Sequence, residues 1–362
     1  MSSRAPASPT LITCEQHGSF AGGVNGFRMQ DATVSIDVLN LGCAITRIEV
    51  PDRSGSRANI VLGYADTNAY ARGDEYFGVV VGRVANRIAD GRLRLGGQVV
   101  QLARNHGRHH LHGGDMGFSR KLWKVRRATS GACATLELQL SSPAGDEGYP
   151  GTLSAAVVYT LRSGGEFCMR YSAVTDAPTV VNMTNHSYFN LRGEGTGDVL
   201  GHELSIAADR YCAVDAELIP TGKLLPAAGT AFDFLQPVAI GHRIADDAEQ
   251  LRHAGGYDHC FVLDAPMPGK SRLRHACTLH DPGSGRRLTV QTDQPGLQLY
   301  SGNFLNGTVT GSHDAPYQRH AGVCLETQAF PDAPNHPNFP SIELLPGGHY
   351  EATTVMRLDV LP

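Results

Sequence analysis

Short runs in which apolar and polar residues alternate one by one recur along the chain, and they constrain its fold more than any other feature. Alternation with a period of two is typical of strands that are buried on one face. Glycine and proline, 42 and 20 of the 362 residues, separate the runs. The clearest runs are residues 32–40, 44–50, 134–140, 166–174, 287–292 and 352–360.

A tight hairpin is predicted within residues 92–102. Two alternating runs there flank Gly96 and Gly97, and glycine adopts the positive φ angles of a two-residue hairpin turn without steric cost. Helical patterns are confined to short stretches near 66–73 and 242–253. Because repeated strand–helix units are absent, we predict an all-β fold, an antiparallel sandwich or barrel with a few short helices.

Length alone does not divide the chain. Its 362 residues could form two average domains, but large all-β domains often exceed that size. No repeat of fixed period and no linker of distinct composition is present. We therefore expect one domain over residues 16–362, preceded by a flexible segment over residues 1–15.

Charge and cysteine content exclude several classes of protein. The net charge of -4 comes without a basic stripe that could neutralise phosphates, so nucleic acid is not an expected partner. No stretch of about 18 apolar residues and no secretory leader pattern occurs, so no membrane association is expected. The eight cysteines include no C-x-x-C pair and are expected to be buried free thiols in a reducing, cytoplasmic compartment.

Residues 178–191, PTVVNMTNHSYFNL, begin as a buried strand and continue with many hydrogen-bonding side chains. A regular strand would turn Val181 and Met183 to one face and the polar side chains to the other. Three interpretations are open: a solvated edge strand, a metal site, or a pocket for a ligand rich in hydroxyl groups. Solvated faces normally carry Lys, Glu and Thr, which favours the pocket. The polar face would carry Asn182, Thr184, His186 and Tyr188.

A second strand-like stretch, residues 322–340, carries a carboxylate among apolar neighbours. Val323 and Leu325 alternate there with Cys324 and Glu326. A half-buried glutamate needs a partner or a function. A structural ion pair with an arginine across the sheet is an equally open alternative.

Polar side chains also end or interrupt three other predicted strands. Gln298 alternates with leucines, and Asp258 directly precedes an apolar strand. A buried strand ends in Arg83, Asn86 and Arg87. We expect Arg83 to anchor a loop, whereas the guanidinium fork of Arg87 could grip either paired oxygens or a carboxylate.

Four histidines within residues 106–112 suggest a metal site, but the sequence disfavours one. The segment has no H-E-x-x-H motif and no nearby cysteine, and strand spacing would scatter the rings over both faces. Phosphate-binding glycine loops and a G-x-S-x-G nucleophile motif are also missing. What remains is a set of amides, imidazoles, carboxylates and an arginine, the groups that satisfy several vicinal hydroxyls at once. A sugar is the expected ligand.

Six motifs, in order from about residue 20 to the carboxyl end, resemble the aldose 1-epimerase (galactose mutarotase) family. They are GRVANRI, LHGG, NMTNHSYFNL, GYDH, PGLQLYSGNF and CLETQAFPDAPNHPNFP. The resemblance implies a large antiparallel β-sandwich with an open sugar cleft on its concave side. It also implies interconversion of the α and β anomers of free aldohexoses such as galactose and glucose, by a monomer or homodimer without a metal or organic cofactor.

The family's site residues map onto this sequence through the same motifs. The resemblance makes Glu326 the general base and His186 the general acid, and it places His112 near the ring oxygen of the sugar as an assisting group. The positions that match the family's hydroxyl-binding residues are Asn86, Arg87, Asp258 and Gln298.

The match has departures. His109 stands where the family commonly has asparagine, which could alter the position of His112 and the preferred sugar. Val323 replaces the usual phenylalanine, and Met183 replaces leucine with little change of volume.

Ring opening requires a charged base and a protonated acid. Ordinary pKa values leave a glutamate charged and a histidine mostly neutral at pH 7, so we expect the site to favour imidazolium, for instance through a nearby carboxylate. Two alternatives stay open. One is a glycoside hydrolase that uses Glu326 and Asp258 as paired carboxylates, and the other is a non-catalytic sugar-binding module.

Overall fold

The fold is built almost entirely from antiparallel strands, as the alternating runs predict. The computed structural model describes residues 11–264 and 271–362. Within them there is one α-helix, α1 (Glu249–Ala254). No helix in these ranges is long and apolar enough to cross a membrane. Short 3-10 turns cover Ala21–Gly23, Thr67–Ala71, Ala89–Gly91, Phe118–Arg120, Asp146–Gly148, Ile240–His242 and Ala333–Asn335.

The strands are numbered in chain order. The first ten are β1 (Thr13–Ser19), β2 (Asn25–Gln30), β3 (Ser35–Leu39), β4 (Ile45–Pro51), β5 (Arg57–Asn59), β6 (Val80–Val81), β7 (Arg87–Ile88), β8 (Arg92–Leu95), β9 (Gln98–Gln101) and β10 (His110–Leu111). The next ten are β11 (Lys124–Thr129), β12 (Cys133–Ser142), β13 (Leu153–Arg162), β14 (Glu166–Thr175), β15 (Thr179–Val180), β16 (Thr184–Asn185), β17 (Tyr188–Phe189), β18 (Glu203–Ile206), β19 (Arg210–Val214) and β20 (Pro220–Pro226). The last eight are β21 (Val238–Ala239), β22 (Asp258–Val262), β23 (Arg274–His280), β24 (Arg286–Thr292), β25 (Gly296–Tyr300), β26 (Val323–Gln328), β27 (Glu343–Leu344) and β28 (Tyr350–Val360).

The described residues form three larger sheets and four two-stranded ones. A nine-stranded sheet has the order β11-β12-β13-β14-β28-β24-β23-β18-β21, a six-stranded sheet has the order β17-β26-β25-β22-β19-β20, and β1 to β5 form a five-stranded sheet. Side chains from all three share one apolar core, for example Val157 of β13, Val323 and Leu325 of β26, and Ile36 of β3. Burial of this core is the main stabilising contribution to the layered sandwich.

The predicted hairpin and short helices are present. β8 and β9 pair around Gly96 and Gly97, whose φ angles are 56° and 81°. The helical pattern near 66–73 forms a 3-10 turn, whose first turn is capped by the side chain of Asp66. The pattern near 242–253 is helical only toward its end, in α1.

The prediction of a flexible segment over residues 1–15 is wrong for its last residues. β1 begins at Thr13 and pairs with β2, Cys14 is buried, and Ile12 bridges to Gly131. Pairing with a neighbouring strand orders this part of the chain. Residues 1–10 lie outside the described residues.

The expectation that residues 182–188 form one regular strand is also wrong. β16 pairs with β6, whereas β17 pairs with β26 in the six-stranded sheet. The chain changes partner at His186, and a local turn makes this possible. The side-chain oxygen of Asn185 accepts hydrogen bonds from the amide and the hydroxyl of Ser187. This turn leaves His186 on the side of the cavity described below.

Arg83 is the loop anchor that the sequence predicts. It is almost completely buried, and its guanidinium donates to the carbonyl oxygens of Ser142, Pro143, Pro150 and Gly151. The cysteines also agree with prediction, since all eight are free and seven are buried.

Candidate functional site

A cavity of about 280 Å³ opens above the six-stranded sheet, on the face opposite the apolar core. Its volume lies at the small end of the range for small-molecule sites. Six of the seven predicted site residues line it: Asn86, Arg87, His112, His186, Asp258 and Glu326. These residues come from segments far apart in the sequence, and only Asp258 and Glu326 among them belong to strands of the six-stranded sheet.

Strand register explains why Glu326 faces this cavity. Val323 and Leu325 of β26 point into the apolar core, and the alternation of the strand turns Glu326 the other way. Glu326 is directly opposite Gln298 of β25 in the antiparallel ladder. The regular alternation expected for this stretch is therefore correct.

Gln298, the seventh predicted residue, lies beside the cavity and does not line it. Its amide nitrogen donates to Oδ1 of Asp258 over 2.6 Å. Nη1 of Arg87 lies 3.4 Å from the other oxygen of Asp258. Gln298 and Arg87 thus hold the Asp258 carboxylate from two sides, and all three residues border a smaller cavity together with Asn86.

Glu326 and His186 lie next to each other in the site. Nε2 of His186 lies 3.7 Å from Oε1 of Glu326, and both side chains are nearly inaccessible to solvent. Burial raises the pKa of Glu326 well above its ordinary value, Asp258 raises it further, and Arg87 partly opposes them. The structure therefore makes Glu326 a stronger base than an exposed glutamate.

The expectation that the site favours imidazolium is wrong for the protein groups that surround the ring. Burial lowers the pKa of His186 to about 4, because the surrounding side chains replace the water that would solvate a charged ring. The neighbouring carboxyl does not reverse this effect, since burial also favours its own neutral form. These groups consequently hold His186 neutral near pH 7.

His112 contacts His186 edge to face, with ring centroids 5.1 Å apart. Its Nδ1 accepts a hydrogen bond from the backbone amide of Asn86. Burial, with smaller effects from His186 and Arg87, lowers the pKa of His112 well below its ordinary value. A neutral ring that accepts at Nδ1 carries its proton on Nε2, so His112 can donate one hydrogen bond into the cavity.

Several buried polar atoms of the site have no hydrogen-bond partner within the described residues. They include Nε of Arg87, Oε1 of Gln298 and Oε2 of Glu326. Leaving a buried polar atom unpaired costs about 1 to 3 kcal/mol. A ligand that both donates and accepts hydrogen bonds would recover this cost.

The sequence reasoning predicted only part of the aromatic wall of the cavity: it placed Tyr188 on the polar face of its segment, but it gave no site role to Tyr76, Tyr300, Phe304 or His106. Tyr76, Tyr188, Tyr300 and Phe304 line the cavity, and His106 lies at its edge. Two of these rings, Tyr300 and Phe304, belong to the PGLQLYSGNF motif, where an alternating aromatic residue was the available signal. Aromatic faces pack against the apolar C–H faces of ligands.

The other histidines of residues 106–112 do not converge on a metal site. His109 accepts a hydrogen bond from the amide of Asp90, and His110 lies within hydrogen-bonding distance of Tyr149. The rings are scattered, as expected, but a regular strand is not the cause. The cause is a turn that is closed by backbone hydrogen bonds between His106 and His109.

His186, Cys324 and Glu326 form the one group in the described chain whose ligand-type atoms lie within 4.8 Å of one another. The imidazole presents different nitrogens to the other two groups: Nδ1 to the thiol and Nε2 to the carboxyl. One ion binds a single imidazole nitrogen, so this arrangement suits proton exchange better than metal ligation.

Comparison with known proteins identifies relatives along nearly the whole chain. The family model for aldose 1-epimerase matches residues 27–357. The chain is 45% identical to a galactose mutarotase of Bos taurus over 340 residues, which cover 94% of this chain and 95% of the relative. It is 37% identical to an aldose 1-epimerase of Escherichia coli K12, with coverage of 90% and 92%.

Solved structures agree in fold. A galactose 1-epimerase from Lactobacillus acidophilus NCFM matches with a TM-score of 0.83 at 28% identity, covering 96% of this chain and 98% of that one. An aldose epimerase homologue from C. elegans also gives a TM-score of 0.83, at 27% identity, with coverage of 91% and 97%. The sandwich is therefore of the galactose mutarotase type.

Proposed function

The chain belongs to the aldose 1-epimerase family, and on this basis we propose that it interconverts the α and β anomers of galactose and glucose with Glu326 as base and His186 as acid. One observation carries the proposal. A carboxyl of raised pKa and an imidazole of lowered pKa face each other over 3.7 Å at the floor of a cavity lined with hydroxyl-binding groups.

Ring opening moves two protons. The Glu326 carboxylate takes the proton of the C1 hydroxyl, the C1–O5 bond breaks as C1=O forms, and Nε2–H of His186 gives its proton to O5. Rotation about C1–C2 presents the other carbonyl face. Reclosure then runs backwards, because O5–H returns its proton to Nε2 and the carboxyl of Glu326 protonates O1. Each assisted proton transfer typically contributes about 10²- to 10⁴-fold.

The pKa directions suit this exchange. The active pair carries one exchangeable proton, either on Glu326 or on Nε2 of His186, and the net charge is the same in both arrangements. A base of raised pKa and an acid of lowered pKa shift this pair toward the arrangement in which Glu326 holds the proton and both groups are neutral. Sugar hydroxyls that hydrogen-bond to both groups would stabilise the ionised arrangement during turnover.

The remaining polar groups bind and orient the sugar. Arg87 and Asp258 form a buried pair whose free hydrogen-bonding positions face the site, and Asn86 lies beside them. Gln298 supports this pair by its bond to Asp258. His112 donates from Nε2 toward the ring oxygen region. These roles need no metal or organic cofactor.

The glycoside hydrolase alternative is not favoured. Asp258 is held by Arg87 and Gln298 and therefore suits hydroxyl binding better than nucleophilic attack. Polarimetry tests the two functions directly. The protein should speed the change in optical rotation of freshly dissolved α-D-galactose and α-D-glucose, and it should release no nitrophenol from nitrophenyl galactosides. Release of nitrophenol without any effect on free sugars would overturn the proposal.

The remaining expectations concern organisation. We propose a monomer or a homodimer as the active form, because one chain supplies both the proposed base and the proposed acid. We infer one domain from residue 16 onward, because β28 pairs with both β14 and β24 and ties the carboxyl end into the middle of the chain. Free, mostly buried cysteines support a cytoplasmic location.

A further inference from the structure

Cys324 contacts the proposed acid on the side away from the base. It lies two residues before Glu326 on β26, on the same face of the strand, and it is completely buried. Its Sγ lies 3.6 Å from Nδ1 of His186, within hydrogen-bonding range for sulfur. Among the side chains of the described residues, Cys324 is the one within hydrogen-bonding distance of Nδ1. The imidazole is therefore held between a thiol at Nδ1 and a carboxyl at Nε2.

We propose that Cys324 is a positioning residue whose sulfur accepts a hydrogen bond from Nδ1–H of His186, so that Nε2 is the nitrogen that exchanges protons with the sugar. The inference rests on the proposed role of His186 as acid. It also requires that the neutral ring of His186 carries its proton on Nδ1, which the role of His186 as acid does not by itself specify.

The proton balance of the reaction supports this tautomer. Nε2 gives a proton to O5 in opening and recovers it in closure, while Nδ1 keeps its own proton throughout. A neutral ring with its proton on Nε2 would instead have to form an anion in order to donate. Which nitrogen is protonated is decided by the hydrogen bond at the other one, and in this site the partner at Nδ1 is Cys324.

A sulfur atom as the hydrogen-bond partner at Nδ1 also affects the acidity of the His186 imidazolium. A serine protease places a carboxylate against Nδ1 of its histidine, and this strong acceptor stabilises the imidazolium. Sulfur is a weak acceptor, and burial keeps Cys324 in the neutral thiol form because it raises the pKa of that thiol well above its ordinary value. The imidazolium of His186 consequently gains little stabilisation at Nδ1 and remains a strong acid.

The other side chains around the ring do not compete for Nδ1. Glu326 faces Nε2, and His112 packs edge to face against the ring. The rings of Tyr76, Tyr188 and Tyr300 lie 5.1 to 6.4 Å away, centroid to centroid. Asp258 and Arg87 act on Glu326. Cys324 is thus the side chain whose replacement should change Nδ1 most directly.

The first test measures the tautomer without turnover. Long-range proton–nitrogen NMR spectra of the whole wild-type protein, labelled with [15N]histidine, distinguish Nδ1–H from Nε2–H rings. A His186→Asn variant identifies the signals of His186. We expect the Nδ1–H form at pH 7. An Nε2–H form would overturn the inference, whether or not Glu326 proves to be the base.

The second test replaces the sulfur. A hydroxyl is a better acceptor, so Cys324→Ser should raise the pKa of His186 and move the acid limb of kcat/KM upward by about half a pH unit or more, with kcat lowered only a few-fold. Cys324→Ala removes the partner and should lower kcat roughly tenfold with little change in KM, because a general acid that is misoriented loses part of its contribution.

Matched replacements at Cys168, a buried cysteine of β14 in the nine-stranded sheet, control for the loss of a thiol. Cys168→Ser and Cys168→Ala should keep the wild-type pH profile. Circular dichroism at each pH separates changes in the limb from acid unfolding. The inference fails if Cys324→Ser and Cys324→Ala both retain the wild-type acid limb and kcat. Full activity of Glu326→Gln would instead reject the proposed function and leave the NMR result standing.

Discussion

At the scale of one residue, the burial of Glu326 makes it a stronger base and also lowers the stability of the folded protein near neutral pH. Its carboxyl is 2% exposed, and one of its oxygens has no partner within the described residues. Burial and Asp258 raise its pKa above that of an exposed glutamate. A group whose pKa is higher in the folded state stabilises the fold while it is protonated, and this contribution is lost as pH rises through the folded pKa.

Glu326→Gln should therefore be more stable than the wild type near pH 7, by about 1 to 2 kcal/mol, and the gain should shrink as pH falls toward the ordinary glutamate value. Urea unfolding at several pH values measures the difference. Glu351→Gln, an exposed position of β28, is the control and should show no such dependence. A stability difference that is the same at every pH would contradict this explanation.

The pH dependence of kcat/KM follows from the same pair. Adding a second proton requires protonation of His186, whose pKa is about 4, and removing the exchangeable proton requires ionisation of Glu326, whose pKa is raised. We expect activity to fall below about pH 4 and again above the pKa of Glu326, with a plateau between. An acid limb near the ordinary histidine value of 6.5 would show that burial does not govern His186.

The strand or loop that carries a side chain determines where that side chain points. The sequence predicted this direction correctly in regular strands and wrongly where the chain leaves them. Alternation placed Glu326 correctly because β26 is a regular strand between two partners in a sheet. It failed around His186 because the chain changes from β6 to β26 as its partner, and pairing across long sequence distances has no local signature. Tyr76 and Phe304 of the aromatic wall were missed for a similar reason, since they reach the site from loops.

The turn between His106 and His109 gives an element-scale prediction. Nδ1 of His109 accepts from the amide of Asp90 and its Nε2 lies 3.3 Å from Glu217, so the ring ties this turn to two other segments. His109→Ala should lower Tm by a few degrees and raise KM more than it changes kcat, because His106 and His112 lose support. His109→Asn, which keeps an acceptor, is the control and should restore most of the loss. Unchanged KM in both variants would argue against this role.

At the scale of the whole molecule, the cleft is held in place by anchors that contact more than one sheet. The motifs predicted the family and the sandwich, and six of the seven site residues that they predicted line the cavity. They did not predict the order of strands, in which β28 lies between β14 and β24. Local patterns do not specify which distant strands pair. Arg83 is the clearest anchor, since it connects the segment before Asn86 to the loops after β12.

Replacement of Arg83 should destabilise the entire fold. Arg83→Met leaves several buried carbonyl oxygens without donors and should cost about 3 to 5 kcal/mol in urea unfolding. Arg287→Met removes a partly exposed ion pair with Asp359 and should cost about 1 kcal/mol or less. Equal losses in the two variants would show that Arg83 is not the anchor the structure indicates.

Polarimetry of freshly dissolved α-D-galactose, with wild-type protein beside Glu326→Gln, decides whether the buried carboxyl is the base of a mutarotase. We predict that the wild type accelerates the change in optical rotation and that the variant loses about 100-fold or more of kcat/KM while calorimetry still detects sugar binding. A Glu326→Gln protein that mutarotates galactose at the wild-type rate would contradict this assignment.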